Sequence, residues 1–167
     1  NATLDNEKVS NRTTLAVDTS VPVIITTLKI KGGKNSDSST GKGGGIYISS
    51  SSTVSLAGGA QVTDNLAYYG GGVYNEGTLY IYGSAAVGDT GDGDATQSSG
   101  NFANLHGGGI YSTGNLYLGY DSTGQANSLT YGVKRNYAPY GGGVYFNGSG
   151  KDFKFNTGVI NYNYATY

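Results

Sequence analysis

Apolar and polar residues alternate along this chain in short runs that recur. In the first kind of run a β-branched residue precedes a tyrosine, as in Ile46-Tyr47-Ile48, and the pattern returns at Val73, Ile110 and Val144. In the second, Val54 and Leu56 flank Ser55, Leu79 and Ile81 flank Tyr80, Leu116 and Leu118 flank Tyr117, and Phe153 and Phe155 flank Lys154. A third, shorter run leads from Val62 to Asn65, Val133 to Asn136 and Ile160 to Asn163. A period of two is that of a strand with one buried face, so the aliphatics are expected to point inward and the tyrosines outward.

The runs are tied together by a repeat. Glycine triplets start at Gly43, Gly70, Gly107 and Gly141, 27, 37 and 34 residues apart, and each runs into Ile-Tyr or Val-Tyr. An Asn-x-Ala signature begins at Asn65, Asn101, Asn136 and Asn163. Three strands and three corners in some 27 residues predict one rung of a right-handed parallel β-helix, with equivalent strands stacked about 4.8 Å apart. About five rungs are expected. The first is irregular, with strands at Thr14–Val17, Val21–Ile25 and Leu28–Ile30, Pro22 near a strand start, and a polar loop from Gly32 to Gly43. Residues 1–167 read as one domain with no obvious cap at either end. The offset from Asn163 predicts another glycine run from position 168, so the chain reads as a fragment of a longer array.

Composition narrows the classes. Thirty glycines, 16 tyrosines and 13% charged residues depart from the usual quarter of charged residues and favour strands and turns over helices. A net charge of −1 offers no electrostatic footprint for nucleic acid. No apolar run approaches the length of a membrane-spanning helix, so membrane insertion of this segment is not expected. The absence of cysteine excludes disulfides and thiolate metal sites.

Stacked rungs convert each repeated residue into a ladder. The glycine triplets are expected at corners needing positive φ or close backbone approach. Asn65, Asn101, Asn136 and Asn163 are expected to form a corner ladder, since asparagine tolerates the left-handed region and its amide can bond along the stack. Tyr47, Tyr74, Tyr111 and Tyr145 should form an outward column, with Tyr80 and Tyr117 in a second. Such columns either stabilise themselves by stacking or offer a platform for glycan rings or a protein partner.

Two rungs carry extra length, at Gly83–Gly100 and Gly119–Gly132, and the two insertions should lie side by side. Asp89, Asp92 and Asp94 in the first could contribute to a Ca²⁺ site, which needs about six to eight oxygens; their spacing is not that of an EF-hand. A carbohydrate-active enzyme would draw on these with Asp121, Lys134 and Arg135, yet no carboxylate pair sits on regular strands where its separation could be held. His106, the only histidine, has no nucleophile placed beside it by any motif. The residues therefore point away from catalysis.

The Gly-Gly-Gly-[Ile/Val]-Tyr runs, Gly77-Thr-Leu-Tyr-Ile81, Gly114-Asn-Leu-Tyr-Leu118 and the Asn-x-Ala signature resemble the β-helix repeats of bacterial and archaeal adhesin-like surface proteins. They are more distantly similar to the chlamydial polymorphic outer-membrane proteins, from which the chain departs in having Gly for Ala and lacking Phe-x-x-Asn. The resemblance covers roughly residues 43–167. It implies an extracellular or cell-surface module that binds glycans or host surface proteins, with a plain structural spacer and a carbohydrate-active enzyme fragment as alternatives.

Overall fold

In the computed structural model, which describes residues 2–37, 39–91 and 100–167, the chain winds as a parallel β-helix. Among the described residues four parallel sheets run along its length. The first stacks Leu15–Val17, Ile46–Ile48, Val73–Asn75, Ile110–Ser112 and Val144–Phe146. The second stacks Val23–Thr26, Thr53–Ala57, Thr78–Ile81, Asn115–Leu118 and Phe153–Phe155. The third contains Ala2–Asp5, Leu28–Lys31, Gln61–Val62, Ala86–Gly88, Gly132–Lys134 and Ile160–Asn161. Five rungs follow, as the repeat predicts.

Each rung carries four strands, one more than expected. The fourth sheet stacks Lys34–Asn35, Leu66–Tyr69, Phe102–His106, Tyr137–Ala138 and Tyr164–Ala165. It fills the short interval between the asparagine corner and the next glycine triplet, and its inward residues are the alanines of the Asn-x-Ala signature. Ala67, Ala103 and Ala138 are fully buried. A second correction concerns the first insertion: Ala86–Gly88 is a regular strand, with Val87 in register with Val62 and Val133. The excursion from the rung therefore starts only at Asp89.

The core is the set of inward columns. Ile46, Val73 and Ile110 stack in the first sheet, Leu56, Ile81 and Leu118 in the second, and Val62, Val87 and Val133 in the third, all fully buried. Burial of each such side chain stabilises by roughly 1.5–3 kcal/mol. One inward column turns polar midway: Val17 and Ile48 give way to Asn75 and Ser112, joined by a 2.9 Å bond from Asn75 Nδ2 to Ser112 Oγ.

The two ends differ. Ala2–Asp5 adds a strand beside Leu28–Lys31, and the segment after it bridges to Lys34 through Ser10 and Arg12. This strap covers part of the first rung, which the sequence did not suggest. At the other end the inward columns finish on Phe153 and Phe155, 41% and 49% exposed.

The corners show which atoms the repeat serves. The first glycine of each triplet has positive φ, 60° to 67° in Gly43, Gly70, Gly107 and Gly141. The second and third serve close approach instead: a Cβ on Gly71 would stand 2.2 Å from the Phe102 carbonyl oxygen, and one on Gly72 2.6 Å from that of Gly109. At the other corner the left-handed residue is the one before each asparagine, Asp64, Gly100, Arg135 or Tyr162. The asparagine is freed to act purely as a ladder. Asn65, Asn101 and Asn136 each donate from Nδ2 and from the backbone N–H to Oδ1 of the next asparagine, at 2.9 to 3.2 Å, the last acceptor being Asn163.

Candidate functional site

Tyr47, Tyr74, Tyr111 and Tyr145 stand in register on the outer face of the first sheet. They do not form an open platform. Tyr74 and Tyr111 are only 6% and 9% exposed: aromatic side chains from the fourth sheet lean on Tyr111 across the glycine corner, and Tyr74 is covered by Tyr47, Tyr111 and Lys42. Tyr69 lies 5.4 Å from Tyr111, and His106 lies 4.2 Å from Tyr145 and 5.7 Å from Tyr69. Tyr74 and Tyr111 stack at 4.9 Å and 15°, Tyr111 and Tyr145 at 5.4 Å and 5°. Rings stacked at rung spacing cover one another's faces and turn only edges outward. Burial pushes the His106 pKa below its ordinary value, which keeps the ring neutral within this spine.

The spine is closed at one end by Glu76. Its two carboxylate oxygens accept from Lys42 Nζ and from the Tyr47 hydroxyl, each at 2.6 Å, while the Lys42 ammonium lies 4.9 Å from the centroid of Tyr74. Burial works to raise the Glu76 pKa, but the bonds from Lys42 and Tyr47 outweigh it and hold the carboxyl below its ordinary value.

The second column is different. On the outer face of the second sheet the register runs Ile24, Ser55, Tyr80, Tyr117, Lys154. Tyr80 and Tyr117 stack at 4.8 Å and 15°. Beside them Tyr120 stands at 75° to Tyr117, with centroids 6.4 Å apart, and so turns a face where the column turns edges. Tyr80, Tyr117, Tyr120, Gly124 and Lys154 together line a groove of about 160 Å³.

The wall of this groove is a small hairpin within the second insertion. Tyr120 pairs antiparallel with Ala126. Asp121 Oδ1 closes the turn by accepting from the Thr123 N–H and hydroxyl and from the Gln125 N–H, at 2.9, 2.6 and 3.2 Å. These bonds, led by that from the Thr123 hydroxyl, hold the Asp121 pKa below its ordinary value. Gly124 takes φ +80° at the tip. A loop pinned in this way presents Tyr120 in a fixed orientation, which lowers the ordering cost of binding.

The floor is polar and charge-balanced. Lys154 Nζ is 5.5 Å from the Tyr117 centroid and 3.2 Å from Asp152 Oδ2, which also accepts from the Tyr117 hydroxyl at 3.0 Å. Burial first, then the bond to Asp152 and that residue's charge, push the Tyr117 pKa up to about 12. Sequence reading found Tyr80 and Tyr117 but not Tyr120, Asp152 or Gly124. The spacing Tyr117-x-x-Tyr120 followed by the Asp121-Ser-Thr-Gly124 turn was the available signal.

The expected acidic cluster is only partly on view. Asp89 Oδ2 takes a 3.2 Å bond from Arg135 Nη1, and its Oδ1 accepts from the Gly91 N–H; Asp92 and Asp94 lie outside the described residues. Among the described residues no group of three or more His, Cys, Asp or Glu could hold a metal ion. The two excursions leave the coil at different corners, the first after Ala86–Gly88 and the second after Asn115–Leu118, and it is the Gly83 corner that holds the second, donating to Ser128 O at 2.6 Å and accepting from the Thr130 N–H at 2.7 Å. Of the residues named for an enzyme, the described ones fall in two places: Arg135 bonds Asp89 and Lys134 reaches Thr90 O at 3.5 Å beside it, while Asp121 closes its own hairpin. In comparisons with protein-family models, curated proteins and solved structures, the chain finds no significant match.

Proposed function

We propose that this chain is a non-catalytic, adhesin-like surface repeat module that binds an uncharged glycan in the groove of Tyr80, Tyr117, Tyr120 and Lys154. The observation that carries the reading is the right-angled pair Tyr117 and Tyr120. The turned face of Tyr120 suits the C–H face of a pyranose ring, while the hydroxyl edges of Tyr80 and Tyr117 suit its oxygens. The Lys154–Asp152 pair leaves no net charge for an ionic ligand and supplies a donor and an acceptor. Extracellular or cell-surface placement and bacterial or archaeal origin rest on the resemblance of the glycine, tyrosine and asparagine repeat to adhesin-like proteins. Calcium held by Asp92 and Asp94 with Asp89 stays part of the proposal as a separate loop site.

A glycan-array screen of the chain beside its Tyr120→Ala variant, each with Ca²⁺ and with chelator, tests this. Binding that is lost in the variant, at an unchanged melting temperature and in both buffers, is expected. Binding lost only in chelator would move the site to the aspartate loop. No binding by either protein would leave the spacer reading, for which the buried, self-packed tyrosine spine is the supporting observation.

A further inference from the structure

A further aromatic stack on a different face ends against an aliphatic side chain. The outer column of the fourth sheet runs Lys34, Leu66, Phe102, Tyr137, Tyr164. Phe102 and Tyr137 stack at 4.9 Å and 6°, Tyr137 and Tyr164 at 5.3 Å and 8°. At Leu66 the stack stops, so one face of Phe102 lies on Tyr137 and the other is turned toward Leu66. On that side is a cleft of about 230 Å³ lined by Lys8, Asp64, Asn65, Leu66, Gly100, Phe102 and Asn104.

Its polar groups are held firmly but stay accessible. Asp64 sits at the left-handed corner with φ 56°, its N–H donating to Gly100 O at 2.8 Å and its carbonyl accepting from the Gly32 N–H at 3.1 Å. Lys8 arrives from the N-terminal strap, which its own N–H anchors to Gly32 O at 2.7 Å. Lys8 Nζ meets Asp64 Oδ1 at 2.7 Å, and the two side chains remain 46% and 54% exposed. Asn104 is fixed at the rim by a 3.3 Å bond from Nδ2 to Ser36 O.

We infer that this cleft is a second carbohydrate subsite, taking a single neutral pyranose ring packed against Leu66 and Phe102, with its hydroxyls shared between Asp64, Lys8 and the Asn104 amide. An apolar wall of Leu66 and Phe102 beside a carboxylate, an ammonium and an amide suits a ligand with one C–H face and a rim of hydroxyls. The balanced ion pair discriminates against a charged ligand, which would leave one of its two members opposed. The inference shares its ligand class with the groove at Tyr120 and rests on that reading to this extent, but it uses none of the same residues. Two subsites on separate sheets would let one chain engage two branches or two strands of a glycan surface, with the gain in avidity such pairing brings.

The test is a titration of isotope-labelled full chain, followed by NMR, with methyl β-D-glucopyranoside, methyl β-D-galactopyranoside, methyl α-D-mannopyranoside and, separately, sodium glucuronate. Saturable shifts of the Phe102 ring and the Asp64 amide with at least one neutral glycoside are expected. The Asp64 amide shift should vanish in Phe102→Leu, the Phe102 ring shift should weaken several-fold in Asp64→Asn, which tolerates the same backbone conformation, and both should persist in Tyr120→Ala. Unchanged Ile46 and Ile110 amides in each variant verify the fold. No response with any neutral glycoside, an unaltered response in Phe102→Leu, or a stronger response to glucuronate would overturn the inference. Shifts at the Tyr120 ring report the other site, so either reading can fail while the other stands.

Discussion

Asn101 Nδ2 donates to Asn136 Oδ1 at 2.9 Å, and the same oxygen accepts the Asn101 backbone N–H at 3.1 Å. This three-centre contact is buried and recurs from rung to rung. The second Nδ2 proton of Asn101 goes to Val62 O at 2.8 Å, which staples the asparagine corner to the end of the third sheet. One side chain thus links three rungs, serving the Asn65 N–H and the Val62 carbonyl of one neighbour and the Asn136 amide oxygen of the other. Asn101→Ala would leave the Asn65 backbone N–H and the Val62 carbonyl without these partners inside the protein. A loss of about 2–4 kcal/mol is expected from buried groups left unsatisfied. At the open end Asn163→Ala should cost about 1 kcal/mol, since water can replace it. Urea unfolding of the two variants checks this; equal losses would contradict the ladder's graded burial.

The glycine corner makes a sharper demand. In Gly71→Ala the new methyl would meet backbone of two adjacent rungs, at 2.2 Å from Phe102 O and 2.6 Å from Gly108 O, and neither atom is free to move. Failure to fold, or a loss above about 4 kcal/mol, is expected. Gly124→Ala meets nothing within 4 Å but must adopt φ +80°, for a cost of about 1–2 kcal/mol. Thermal melts of both proteins separate close approach from backbone strain.

The central tyrosines are expected to act on stability alone. Tyr111 contacts Tyr74, Tyr69, Tyr145 and His106, so Tyr111→Ser should lose about 3–5 kcal/mol, as large-to-small changes in a packed aromatic core do. Tyr120→Ala, on the hairpin, should lose under about 1 kcal/mol while removing glycan binding. Denaturant melts paired with the array screen separate the two roles.

Much of this was legible in the chain. Ile46, Val73 and Ile110 declare their inward direction through period-two alternation with tyrosine, and the asparagine offsets name the ladder outright. The fourth strand was hidden because its inward residues are Ala67, Ala103 and Ala138, too small to register as a hydrophobic run. Burial of Tyr74 and Tyr111 was hidden for another reason. That of Tyr111 depends on Tyr69 and His106, which precede the glycine corners and fold back only because those corners turn tightly, and that of Tyr74 on Lys42 and the stacked Tyr47 and Tyr111. At the asparagine corner the left-handed conformation falls one residue before the asparagine, on Asp64, a type that tolerates it, but also on Arg135 and Tyr162, whose side chains carry no mark of it. Tyr120 lay unread because insertions have no period to align.

Alkaline pH should be felt at Tyr117. An ordinary tyrosine ionises near about 10, whereas burial and Asp152 hold this one to about 12. A folded-state pKa above the unfolded one means that the unfolded chain loses its proton first. The contribution of Tyr117 to stability is therefore complete below about pH 10 and is lost as pH rises toward about 12. Ultraviolet difference titration of wild type against Tyr117→Phe should show one phenol ionising near the upper value; a midpoint near the ordinary one would contradict the burial and the Asp152 bond.

The central claim is that sugar recognition belongs to the corner of Tyr117 and Tyr120 and not to the buried tyrosine spine. A crystal structure of the chain with the oligosaccharide selected by the array tests it most directly. The account predicts a pyranose ring lying against the face of Tyr120, with oxygens within hydrogen-bond reach of Lys154 and the Tyr80 hydroxyl. Sugar density along Tyr47, Tyr74, Tyr111 and Tyr145, with the Tyr120 groove empty, would contradict it.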